Sequence, residues 1–323
     1  MATADQIKAL IRSHLDEDIE RFITVALQMA AHEAQQGHGA LAHDIRTIIE
    51  KAKAQRGLLK VVSFPKDLRG LVLSEEPATP RTSLVLPETL SGRIGRVIHE
   101  YRQQDKLKSH GLSNRRKILL VGPPGTGKTM TAQVLAHELR LPLHTIQVDK
   151  LVTKFMGETA AKLRQIFELI QRDQGVYLFD EFDAIGGERS LDNDVGEMRR
   201  VLNAFLQFIE HDTSDSLIVA ATNTPDLLDR ALFRRFDDIL EYELPSLEDR
   251  RRLFRNGLSV FLPSQLPWKQ ILRESDQLSH AEIVHACLDA VKQAVLEDQS
   301  SVSGDLLRQM LTERRSEHGR DQG

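Results

Sequence analysis

Gly122 to Thr129 read GPPGTGKT, and their types and spacing suit one task, the holding of phosphate groups. The run satisfies G-x-x-x-x-G-K-[ST] and lies between an apolar run, KILLV, and a helical pattern, MTAQVLAHEL. Phosphate oxygens need converging backbone N–H donors. Gly122, Gly125 and Gly127 allow a tight loop that supplies them at the positive end of a helix dipole. Pro123, Pro124 and Thr126 complete the loop and Met130 follows it, so Gly122 to Met130 is the expected nucleotide-binding run. Lys128 would bring a mobile positive charge to the β- and γ-phosphates, and Thr129 an oxygen for magnesium. A nucleoside triphosphate and Mg2+ are the expected ligands.

A second constellation is VYLFDEFD, Val176 to Asp183. Four apolar residues form a buried strand that delivers Asp180 and Glu181 at its C-terminal end, where ligands bind in open α/β sheets. Asp180 is expected to join Thr129 as a metal-holding residue, and Glu181 to orient and deprotonate an attacking water. An acidic pair alone is usually a solvated loop; downstream of a phosphate loop the catalytic reading is favoured. A third run, LIVAATN, ends in Asn223, whose amide would also hold the water, although alone it would be an ordinary turn residue. Further on, ALFRRFD carries Arg234 and Arg235 with no obvious acidic partner nearby, a pattern that in an arbitrary protein marks a solvated surface.

Short apolar runs, KILLV, PLHTI, VYLF, LIVAA and ILEYEL, alternate with helical stretches, which implies a parallel sheet covered by helices. Ahead of them Leu90, Ile94, Val97, Ile98 and Tyr101 mark an amphipathic helix. Residues 1–56 read as a small helical module. Residues 57–86, with Pro65, Pro77 and Pro80, read as a linker holding at most one short strand. The α/β region spans 87–245. After Pro245 the strands stop and 246–315 is helical, with Ser246…Asp249 and Ser279…Glu282 at capping-box spacing. Residues 316–323 form a polar tail.

The 323 residues are 41% hydrophobic and carry a net charge of -4, so no general excess of positive charge draws the chain to nucleic acid. One cysteine, Cys287, excludes an internal disulfide and a four-cysteine zinc site, and suits a reducing compartment. Neither a signal peptide nor a membrane span is expected, which gives a cytoplasmic protein without a membrane partner. Residues 32–36 read HEAQQ rather than H-E-x-x-H, and no G-x-S-x-G elbow is present, so neither a zinc-protease nor a serine-hydrolase motif is found.

The motifs VGPPGTGKT, YLFDEFDAIGGER, VAATNTPDLLDRALFRRFD and LSHAEIVHACLDAVKQAVL, in that order, resemble those of the AAA+ ATPases, specifically the AAA branch. The resemblance covers about residues 85–300. It implies a P-loop fold with a parallel 5-1-4-3-2 sheet, a helical C-terminal lid, and a homo-oligomeric ring, usually a hexamer, with ATP at the subunit interfaces. RRFD resembles the GRFD segment that sends an arginine into the neighbour's site, although the usual Pro-Gly between two arginines is absent. Arg235 is the better-aligned finger, and Arg234 the other candidate. Arg199 and Arg200 would face the same interface or the solvent. KFMGE occupies the position of the aromatic loop that lines the central pore, so Phe155, Met156 and Gly157 would grip an extended polypeptide. LSHAE places His280 where the family commonly has glycine, close to the expected adenine. The whole chain looks most similar to compact bacterial ATPases paired with a subtilisin-like serine protease in anti-phage defence. The implied function is an ATP-hydrolysing protein remodeller. The alternatives are a nucleotide-dependent switch that activates a partner and a nucleic-acid-linked ATPase; the latter is disfavoured because no added DNA-binding helix pair is seen.

Overall fold

The computed structural model describes residues 26–27, 29–31, 33–34, 38–39, 42–47, 68, 70–151, 158–183, 195–228 and 230–318. The chain divides into two compact units, Met1–Val62 and Ser63–Gly323. In the first, the described residues other than His38 are helical, and Ala26, Ala30 and Ala42 are buried.

The second unit is built on a six-stranded sheet. Its strands are β1 (Val72–Glu75), β2 (Lys117–Val121), β3 (Leu143–Gln147), β4 (Val176–Asp180), β5 (Leu217–Thr222) and β6 (Asp238–Glu241), in spatial order β1-β3-β4-β5-β2-β6. Setting β1 aside and counting from β2, the remaining five parallel strands run 5-1-4-3-2 from one edge. The expectation of a purely parallel sheet needs one correction: β1 pairs antiparallel with β3, Val72 opposite Ile146. This strand falls in the proline-bearing stretch read as a linker. It is four residues long and buries only Val72, so it shows almost no apolar periodicity, as befits a short edge strand.

Central strands buried on both faces read as unbroken apolar runs. Ile118, Leu119 and Leu120 of β2, Val176 to Phe179 of β4 and Leu217 to Ala221 of β5 are all inaccessible to solvent. One face is covered by α1 (Glu88–Arg102), which is followed by the short α2 (Gln104–Ser109), and by α3 (Lys128–Leu139). Leu90, Ile94, Val97, Ile98 and Tyr101 fall on one stripe of α1 and share a core with Ala132 and Leu135 of α3. Between β3 and β4 come α4 (Val148–Leu151) and α5 (Glu158–Arg172), and α6 (Val195–His211) follows β4. The core on this side is aromatic: Phe167 of α5 and Phe205 of α6 meet Phe179 of β4, with the Phe179 and Phe205 centroids 5.2 Å apart, edge to face.

After α7 (Arg230–Phe233) and β6 the chain is helical: α8 (Leu247–Leu258), α9 (Trp268–Glu274), α10 (His280–Leu296) and α11 (Gly304–His318). Both expected caps form. Ser246 accepts from the Asp249 N–H, and Ser279 and Glu282 make a reciprocal capping box. These helices share a second core that includes Phe254, Ile271, Ile283, Cys287 and Leu307. Burial pushes the Cys287 thiol up to about 12, so it acts as a small apolar side chain. Among the described residues no helix is long and apolar enough to cross a membrane.

Candidate active site

The parallel register aligns the C-terminal ends of β2, β4 and β5 along one edge of the sheet, with Val121 opposite Thr222 and Phe179 opposite Ala220. The loop leaving β2 is held from three sides. Its first glycine donates its N–H to the Thr222 carbonyl at 3.3 Å. Gly122 has φ +145°, and a Cβ there would lie 2.2 Å from the Tyr242 carbonyl oxygen, so only glycine fits beneath the residue that follows β6. At the loop's exit the Thr131 hydroxyl donates to the Gly127 carbonyl at 3.0 Å, and the Tyr242 hydroxyl donates to Thr131 Oγ1 at 2.7 Å.

Lys128 is buried, and its Nζ donates to the Gly122 and Pro123 carbonyls at 2.7 Å each. Burial lowers its pKa, while Asp180 and Asp183 act in the opposite direction. At the head of α3 the Thr129 hydroxyl donates to Asp180 Oδ2 at 2.8 Å, which brings two hard oxygen donors together. The other Asp180 oxygen accepts the Glu181 N–H at 3.0 Å. Glu181 adopts φ +51°, a left-handed conformation that costs a non-glycine residue about 1–2 kcal/mol and turns the chain sharply as it leaves the strand. Its side chain is exposed beside the phosphate loop.

Lys128, Thr129, Asp180 and Glu181 line a cavity of about 410 Å3, together with Pro124, Gly125, Thr126, Gly127, Met130 and Asn223. Ser83, Leu84 and Val85, just ahead of α1, line it as well, as do Leu253 of α8 and His280, Ala281, Val284 and His285 of α10. α10 docks directly on the loop: the Ala281 N–H donates to the Gly125 carbonyl at 2.9 Å. His280 is 8% exposed, and neither ring nitrogen has a hydrogen-bond partner among the described residues. Burial depresses its pKa, opposed by Asp249, and the neutral ring offers one donor and one acceptor.

Three features were not legible in the sequence. Asp183 Oδ1 accepts from the Thr222 hydroxyl at 3.0 Å and from the Asn223 N–H at 3.4 Å, and so ties the ends of β4 and β5 together; its only signal was the last acid of DEFD. The Ser83–Val85 wall and His285 gave none. Arg235 also differs from expectation in one respect. Arg235 does have a local acidic partner, Glu210 at the end of α6, 2.6 Å from its Nη1. Neither Arg234 nor Arg235 lines this chain's own cavity, and both are exposed. Phe155, Met156 and Gly157 lie outside the described residues, as do the side chains of Arg199 and Arg200.

A nucleoside triphosphate with magnesium fits these residues. The loop offers a tight glycine-rich turn at the head of α3, Lys128 a buried cation, Thr129 and Asp180 paired oxygens, and the far wall apolar surface beside an imidazole with no hydrogen-bond partner among the described residues. A 5-1-4-3-2 sheet with this loop after its first strand and acids at the end of its third defines a P-loop nucleotide hydrolase.

Comparison with known proteins makes the class specific. Residues 118–244 match the family described as "ATPase family associated with various cellular activities (AAA)". An uncharacterized AAA family ATPase of Sinorhizobium fredii is 33% identical over 94% of this chain and 92% of its own length. A proteasome-activating nucleotidase of Methanothermobacter thermautotrophicus is 34% identical over 60% of this chain, and the ATP-dependent zinc metalloprotease FtsH 1 of Sphaerobacter thermophilus 29% over 79%. The chain spans 49% and 40% of the lengths of these last two. The chain belongs to the AAA ATPase family, for which ATP hydrolysis is expected.

Proposed function

We propose that the chain is the subunit of a homo-oligomeric ring, a hexamer, that uses ATP hydrolysis to remodel polypeptides. In this reading residues 87–245 are the large ATPase subdomain, 246–315 its lid, and 1–56, joined by 57–86, a module that selects partners. The reading is carried by the convergence of Lys128, the Thr129–Asp180 pair and Glu181 on one cavity.

ATP with its magnesium supplies the phosphoryl group whose transfer to water drives the work. Within the site, the loop amides from Gly122 to Met130 and the Lys128 ammonium hold the phosphates, and Thr129 and Asp180 hold the metal. Glu181 takes a proton from the attacking water at its carboxylate, while the Asn223 amide fixes that water's position. His280 faces the base. Arg235 serves the neighbouring subunit's site, with Arg234 the other candidate. Support comes from its exposure and its absence from its own cavity. On reaching the neighbour's phosphates it would exchange the Glu210 carboxylate for a more highly charged partner.

Relatives named for proteasome activation and for ATP-dependent proteolysis support a polypeptide substrate. Phe155 and Met156 then supply adaptable apolar contact in the pore, with Gly157 giving the loop its freedom. The resemblance to protease-paired ATPases supports a separate subtilisin-like serine protease as the recipient, in anti-phage defence. Phe155→Ala tests the pore. ATP hydrolysis should stay near the wild-type rate while unfolding of a tagged fluorescent substrate is lost; unfolding retained at full rate would overturn threading.

A further inference from the structure

Away from the nucleotide cavity, α8 and α9 build a basic groove around the chain's one tryptophan. Arg251 and Arg255 are one turn apart on α8, and both guanidiniums lie over the Trp268 ring, with Cζ 5.5 and 5.9 Å from its centroid. Two adjoining hollows of about 430 and 680 Å3 share Leu247, Arg251 and Leu272. Six cationic side chains and only two acidic ones line them, in a chain whose net charge is -4. Arg250 is taken up by Asp276 at 3.0 Å and Arg252 by Asp249 at 3.3 Å. Arg251, Arg255, Lys269 and Arg273 have no ion pair among the described residues. Shielding of the indole accounts for the two stacked arginines. It does not account for four unpaired cations around shared hollows, where their mutual repulsion is unfavourable, or for Leu247, 62% exposed at the rim.

We propose that this groove binds an acidic polypeptide segment, its carboxylates on Arg251 and Arg255 and an apolar side chain against Leu247. Guanidiniums one turn apart present forks that carboxylates can meet in bidentate fashion, and their stacking on Trp268 fixes them in advance of binding. A nucleic-acid strand fits less well. Tracking its backbone calls for an uninterrupted basic stripe and successive aromatic platforms, whereas Glu248 and Asp276 interrupt the lining and one aromatic serves it. The groove shares no residue with the nucleotide cavity except through the common core of the C-terminal helices, so the inference does not depend on the pore or on ATP turnover.

Because Trp268 is the sole tryptophan, its emission in the full chain reports directly on the groove. The probes are a tryptophan-free, leucine-containing glutamate-rich peptide, a lysine-rich peptide of equal length and a single-stranded oligonucleotide, each carrying a dye for an independent anisotropy reading. Only the acidic peptide should give a saturable change in emission and anisotropy. Its affinity should fall at least tenfold in Arg251→Gln/Arg255→Gln, and again in Lys269→Gln/Arg273→Gln, with ATPase rate and helical content unchanged. The proposal is overturned if no saturable binding occurs, if both double variants bind as the wild type does, or if the oligonucleotide binds more tightly than the peptide. An emission change that follows protein concentration alone would assign the groove to a second copy and overturn it too.

Discussion

Gly125→Ala is the most informative single change at the site, because it sits where the phosphate loop meets α10. Gly125 has φ +71°, and a Cβ there would lie 2.6 Å from Ser279 Oγ and 3.0 Å from Ser279 Cβ. The left-handed backbone alone costs alanine about 1–2 kcal/mol. Separating the overlapped atoms adds about 1–3 kcal/mol, as overpacking usually does. If α10 backs away, the Ala281 N–H bond to the Gly125 carbonyl, worth about 1 kcal/mol, goes as well. The two parts can be told apart. Ser279→Gly removes both colliding atoms, and glycine at an N-cap costs only a few tenths of a kcal/mol. In the double variant the overlap is relieved and the backbone strain stays, so the two changes should couple favourably by about 1–3 kcal/mol. Urea unfolding followed by Trp268 emission, which lies in the C-terminal helices, measures the cycle. ATP affinity, measured by calorimetry in the absence of turnover, should fall with Gly125→Ala and recover in part in the double variant. Strict additivity within about 0.5 kcal/mol would refute the argument that α10 and the phosphate loop are in direct steric contact.

Other perturbations address separate parts of the site. Glu181→Gln should retain ATP binding while slowing phosphate release by about 10²-fold or more, as loss of a general base does; an unchanged rate would remove Glu181 from the proton transfer. Thr129→Ala deletes one of the two paired oxygens, and the magnesium concentration for half-maximal ATPase activity should rise, while metal-free nucleotide binding stays near wild type. Stability should also depend on pH through His144, which is buried in β3 with Tyr177 packed against it and accepts or donates a 3.0 Å bond to Ser74. Burial lowers its pKa from 6.5 to about 4. The unfolded chain therefore takes up the proton first, and stability that is present above pH 6.5 is lost as pH falls from 6.5 towards 4. Between pH 7 and 5 the loss is about 2 kcal/mol, measurable by urea titration at each pH, and His144→Gln should flatten it.

The fold was legible wherever burial was two-sided or helical periodicity was long. KILLV, VYLF and LIVAA are strands of the central sheet, and the stripe from Leu90 to Tyr101 is the buried side of α1. The strand, glycine-rich loop and helix from Lys117 to Leu139 and the acids at the end of β4 were legible because the motif constrains both residue type and spacing. What escaped was set by tertiary contact. β1 pairs along an edge and buries one side chain, so its sequence carries no alternation. The Ser83–Val85 wall becomes part of the cavity only because α10 and the phosphate loop approach it. Arg235 and Glu210 are 25 residues apart and meet because α6 and α7 end near each other. His280 was expected close to the adenine from the resemblance alone. It is the first residue of α10 and also lies in the cavity wall, since the capping box at Ser279 points that helix end at Gly125.

The central claim is that active sites are shared between subunits of a ring, and it is tested most directly by mixing. ATPase rate per subunit is measured against total protein concentration, and then at fixed total protein with a rising fraction of Arg235→Ala. The account expects the rate per subunit to climb with concentration and the variant to lower activity out of proportion to its share. A rate independent of concentration, falling only in line with the dilution of wild-type chains, would mean that each chain hydrolyses ATP alone and would contradict the ring.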